Sequence, residues 1–171
     1  MKWARPLWCL LLLLTKLDAA PRVLFLLGEH EYGTQQSLPA FAEAELKPRD
    51  IPYRFIRAKS DDRNSVDCHI FPGLAGALKD ADVLFISVRW RYPPEKDMAL
   101  LKRWVAQGKP VIGIRTSSHA FGEREKGQGY PPLDGHAPWQ GFDLDESVVS
   151  YTGHAGRKTV TIAFAARDLH A

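Results

Sequence analysis

Cysteine is scarce in this chain: 171 residues hold two, Cys9 and Cys68. No disulfide framework can be built from them, so stability has to come from an apolar core. Long hydrophobic runs are scarce too. The longest, Pro6 to Leu14, has nine residues, and a helix needs about 20 to cross a bilayer. Charge of one sign is not in large surplus: 23 Lys and Arg face 20 Asp and Glu, a formal net of +3. No basic block or stripe stands out, which leaves nucleic-acid binding little electrostatic support. Several sequence signatures are also missing: the Gly-x-Ser-x-Gly elbow, the phosphate loop, the dinucleotide fingerprint and His-Glu-x-x-His.

What is present is an ordinary globular composition, 45% hydrophobic and 25% charged, at a length suited to one domain. The first residues stand apart. Met1 to Arg5 is a short basic start, Pro6 to Leu14 is apolar and Thr15 to Ala20 ends in small residues. That is the three-part pattern of a secretory signal peptide. It predicts residues 1–19 as a cleaved leader and residues 20–171 as a periplasmic or secreted domain, free of the membrane after cleavage. An uncleaved anchor or a buried N-terminal helix is the alternative. Cleavage after Ala19 would take away Lys2, Arg5, Lys16 and Asp18, and the net charge would fall by two. Only Cys68 would remain, reading as a buried, unreactive thiol.

Strands and helices alternate along the rest. Arg22 to Gly28 is continuously apolar after its first residue, as a strand buried on both faces should be. A helix is expected from Ser37 to Leu46, with Ser37 as its cap. Tyr53 to Ala58 reads as a strand nearer an edge. A short helix, Leu74 to Lys79, precedes a strand ending at Val88. The next helix carries the clearest end signals: Pro93 and Pro94 suit its first turn, Gly108 supplies its stop and Pro110 forbids continuation. Val111 to Arg115 is the fourth strand, residues 122–147 form a long Gly- and Pro-bearing loop, and Thr159 to Phe164 is a last strand. This alternation predicts an α/β fold with a mostly parallel sheet and right-handed crossovers.

Such a sheet gathers its strand-to-helix turns on one edge, where ligands bind. The first turn brings Glu29, His30, Glu31 and Tyr32, the third Arg89, Trp90 and Arg91, and the fourth Arg115, Thr116, Ser117, Ser118 and His119. The long loop adds Asp134, His136, Trp139 and Asp143, and His154 follows. Carboxylates, imidazoles, guanidinia and indoles together suit hydroxylated ligands and supply acids and bases. Taken singly, each residue reads equally well as a solvated charge, a cap or a core side chain. His119, His136 and His154 with Asp134 or Asp143 are ligand types for a metal, but their spacing matches no tight metal motif, and neither metal nor cofactor is expected.

The segments Ala81 to Arg91, Pro93 to Gly108, Gly113-Ile114-Arg115-Thr116-Ser117-Ser118-His119-Ala120-Phe121 and Tyr151-Thr152-Gly153-His154 together resemble the ThuA-like (trehalose utilisation) family. Gly28-Glu29-His30-Glu31-Tyr32 resembles the first turn of exported members. The resemblance covers about Arg22 to Ile162. It implies the class I glutamine amidotransferase-like superfamily and its flavodoxin-like three-layer sandwich. Glutaminases of that superfamily carry Cys where this chain has Arg115, and the His-Pro-Glu pair is absent, so glutaminase activity is not implied. The resemblance implies a small-molecule carbohydrate or keto-sugar as ligand, and not a mechanism. From the residue types gathered at the edge, His119 and Glu29 are the proton-transfer candidates, while Arg89, Arg91 and Arg115 would orient the substrate or stabilise an oxyanion or enediolate. Trp90 and Trp139 would stack on the ring, and Glu31, Tyr32, Thr116, Ser117, His136 and His154 would complete the binding set. A noncatalytic carbohydrate-binding or interaction domain on the same scaffold is the alternative. ThuA-like domains usually run further than Ala171, which implies a minimal or C-terminally truncated domain.

Overall fold

The computed structural model describes residues 19–114, 117–122, 134–139, 142 and 163–164. Strand β1 (Val23–Gly28) leads into helix α1 (Thr34–Phe41), and β2 is Tyr53–Arg57. Helix α2 (Leu74–Asp80), β3 (Val83–Val88), α3 (Glu95–Ala106), β4 (Val111–Gly113) and β5 (Ala163–Phe164) follow. The sheet order is β2-β1-β3-β4-β5. The first four strands are parallel, and β5 pairs antiparallel with β4 through Ile112–Phe164 and Gly113–Ala163. This is the α/β, flavodoxin-like arrangement with a mostly parallel sheet that the sequence predicts. Among the described residues no helix is long and apolar enough to cross a membrane.

Alternation along β1 explains its unbroken apolar run. Leu24 and Leu26 join a core with Leu84, Ile86, Met98 and Leu101. Phe25 and Leu27 point to the opposite face and pack with Leu38 and Ala42. The described residues thus form two cores, one beneath α2 and α3 and one beneath α1. Each fully buried aliphatic side chain contributes about 1.5–3 kcal/mol relative to exposure. Across the α1 face, Phe25 stacks on Phe55 of β2 at 4.7 Å and packs at a tilt against Phe85 of β3 at 4.9 Å. All three occupy the same rung of the register.

Helix α1 departs from the expected Ser37–Leu46 span. It begins at Thr34 with Gly33 as its N-cap, and Ser37 lies inside it. Pro39 sits within the helix and has no N–H to give the Gln35 carbonyl four residues back. That carbonyl accepts instead from the Arg57 guanidinium at 3.1 Å. The helix then widens into a π-turn at Ala42–Leu46 and tightens into a 3-10 turn at Lys47–Arg49. Helix α3 follows its sequence signals closely. Met98, Leu101, Trp104 and Val105 are buried, Glu95 and Asp97 lie in its first turn, and Gly108 takes φ +69° just beyond its end. Strand β4 is shorter than expected. At Ile114 the chain already turns: its carbonyl accepts from Ser117 N–H at 2.7 Å.

Candidate functional site

The strand order reverses between β1 and β3. The chain steps from β1 to β2 on one side, then crosses over to β3 on the other. In open α/β sheets the crevice outside the carboxyl ends at such a switch point is where ligands bind. Gly28 and Val88 are paired at the last rung of this junction, so the residues after them face each other across it. The approach is close. A methyl group on Gly28 would stand 2.9 Å from the Phe71 ring and 3.4 Å from Arg91 Cγ.

The β1 exit is organised by Glu29, which is fully buried. One carboxylate oxygen accepts the N–H groups of Glu31 at 2.7 Å and Tyr32 at 2.9 Å. The other accepts the Thr34 N–H at 3.0 Å and the Thr34 hydroxyl at 2.5 Å. Burial raises the pKa of this carboxyl, but the Thr34 hydroxyl and the three N–H donors more than offset it and hold Glu29 below the ordinary range. A carboxylate offers about four acceptor positions, and all four are taken. In this geometry Glu29 shapes the turn and has no lone pair left for a substrate proton.

The β3 exit carries the guanidinium and indole groups of the rim. Arg89 is nearly buried, forms an ion pair with the half-exposed Glu31 and lies 3.8 Å from the Trp90 ring. Trp90 has φ +48°, a left-handed conformation that a bulky residue rarely takes. Backbone bonds from Trp90 N–H to the His119 carbonyl (3.1 Å) and from Arg91 N–H to the Ala120 carbonyl (2.8 Å) hold it there. The same bonds bring His119 alongside, its ring 4.9 Å from that of Trp90. Ser118 Oγ lies 3.2 Å from His119 Nδ1. Arg91 points inward, buried, and donates to the Arg89 carbonyl at 3.1 Å.

Glu31, Tyr32, Arg89, Trp90 and His119 therefore come from three turns at one rim. Ser117 sits beneath it, its hydroxyl donating to the Ile86 carbonyl at 2.6 Å. Trp139 lies elsewhere. It is buried in the core with Phe121 and Phe142, and Lys102 is over its ring. His136 donates from Nδ1 to the Tyr92 carbonyl at 2.5 Å, tying the 134–139 segment to the start of α3. Arg115, Thr116, His154 and Asp143 lie outside the described residues. Among the described residues no group of three or more His, Cys, Asp and Glu side chains is placed to hold a metal.

Three polar residues of this region carry no sequence signal. Thr34 and Ser87 are buried hydroxyls joined at 2.8 Å, and they link β3 to Glu29. His69 is buried, accepts the Tyr92 N–H on Nδ1 at 3.0 Å and stacks on the Tyr92 ring. Burial, then the Arg91 charge and His136, push its imidazole down to about 4. His30, on the lip, is also lowered, first by burial and then by Arg63, Arg91 and Arg89, with Glu29 opposing. Cys68 is buried as expected, and burial pushes its thiol up. No family model, no curated protein and no solved structure matches this chain.

Proposed function

We propose that this chain is an exported protein of the ThuA-like type that binds a carbohydrate or keto-sugar at the β1–β3 rim and acts on it. The observation that carries the reading is Trp90. A bulky aromatic side chain is held in a costly backbone conformation at the sheet's ligand-binding edge, flanked by a guanidinium and an imidazole. Strain of this kind concentrates at functional sites. An indole suits the apolar face of a sugar ring, and charged neighbours suit its hydroxyls.

In this reading Trp90 is the platform and His119 the proton-transfer group. Arg89, with Arg115, steadies an oxyanion or enediolate of a keto-sugar. Glu31 and Tyr32 take hydroxyls at the lip. Glu29 leaves the catalytic set, because its carboxylate is filled by the turn. Export rests on the leader pattern of residues 1–19, and a small-molecule carbohydrate is the only partner assigned.

A noncatalytic carbohydrate-binding module is the second reading. It is favoured by the occupied Glu29 carboxylate and by Arg115 at the place of the superfamily's nucleophile. One experiment separates the two. The full chain is titrated calorimetrically with a panel of sugars and keto-sugars, and the products are followed by NMR. Trp90→Ala should abolish binding. Turnover lost in His119→Ala with binding retained identifies an enzyme, and binding without turnover in the native chain identifies a module. No heat with any member of the panel refutes both.

A further inference from the structure

Glu29 stands out from the rest of the rim because its donors lead somewhere. Ser87 of β3 donates to the Thr34 hydroxyl at 2.8 Å, and Thr34 donates to Glu29. Glu29 fixes the main chain of Glu31 by its N–H, and the Glu31 carboxylate pairs with Arg89. Arg89 is two residues beyond Ser87 on the same strand exit. The contacts thus form a closed circuit across the β1–β3 junction, and Trp90 lies against its last member. Three N–H groups and a hydroxyl converging on one point make a nest for an anion. Here the protein's own side chain fills it.

We propose that Glu29 is a positioning residue, a resident anion whose seat in this nest holds Glu31 on Arg89 and so sets where Trp90 stands at the rim. The role of Trp90 rests on the functional reading above, whereas the circuit itself does not. The nest takes a carboxylate as its ligand. When the side chain is cut away, a small free carboxylate of the same chemistry can take its place. Thr34 is the second member of the device, since its hydroxyl both feeds Glu29 and receives Ser87.

The test uses the full chain labelled with 5-fluorotryptophan, the Trp90 resonance being the one lost in Trp90→Phe. Glu29→Ala should lower the melting temperature by roughly 10 °C, as expected for losing several hydrogen bonds to a buried charge, and should move the Trp90 signal. Formate should return both toward the native values, and chloride at equal ionic strength should not. Thr34→Val should also move the Trp90 signal, and Thr34→Ser should leave it in place. Formate acting no better than chloride, or an unmoved Trp90 signal in Glu29→Ala, overturns the proposal. If Glu29→Ala does not fold, the Thr34 pair decides: equal Trp90 signals in Thr34→Val and the native chain overturn it. No sugar enters this measurement, so a failed sugar titration cannot mimic its failure.

Discussion

Trp90 offers a measurement of stored backbone strain that side-chain loss does not obscure. A non-glycine residue in the left-handed region gives up about 1–2 kcal/mol relative to its ordinary conformation. Glycine does not, but it loses about 0.4–1 kcal/mol through the greater freedom of the unfolded chain. Trp90→Ala and Trp90→Gly remove the same indole, with its Arg89 and His119 contacts. What differs between them is the backbone at φ +48°. Glycine should therefore be the more stable variant, by about 0.5–1 kcal/mol, reversing the usual order of the two residues. For a domain of this size that is about 1–4 °C in melting temperature. Urea unfolding followed by circular dichroism, with matched slopes, reads it more directly as a shift of midpoint. Asp50, at φ +52° on the surface, gives a control pair in which Asp50→Gly should likewise exceed Asp50→Ala. An alanine variant at position 90 as stable as the glycine one would show that no strain is held there, and the main support for the rim as a functional site would go with it.

Gly28→Ala places a methyl group 2.9 Å from the buried Phe71 ring and should cost about 1–3 kcal/mol by overpacking. Adding Phe71→Leu should recover part of that loss, and strictly additive losses in the double-mutant cycle would refute the clash. His69 governs an acid limb. Its folded pKa of about 4 lies below the ordinary 6.5, so the unfolded chain binds the proton first. Stability should fall as pH drops from about 6.5 to about 4 and level off below. His69→Asn, which keeps an acceptor for the Tyr92 N–H, should flatten that limb, and equal slopes of urea stability against pH in both proteins would count against it.

The parallel sheet was legible because its signals are local: the apolar runs of β1 and β3, the proline start and glycine stop of α3. The rim was legible in outline because strand ends in such a sheet share an edge. What escaped the sequence acts between distant positions. Ser37 looked like a cap, yet α1 starts three residues earlier because a carboxylate at the end of β1 reaches the N–H of Thr34. Glu29 looked like a proton carrier because its type fits and its burial among four donors cannot be seen from its neighbours. Trp139 looked like a stacking platform, but an indole is also a large apolar body, and Phe121 and Phe142 claimed it. His69 sits in a segment without periodicity, so nothing marked it as buried.

The Phe55–Phe25–Phe85 ladder has a consequence for how this rim tolerates change. Sliding any of the three strands by two residues, the smallest slip that keeps the same face inward, takes a ring off its rung. Alignment is thereby set in the middle of the sheet, several residues from the turns. The connections between strands can lengthen, shorten or change composition while Gly28 and Val88 still finish level, and the groups that follow them still meet.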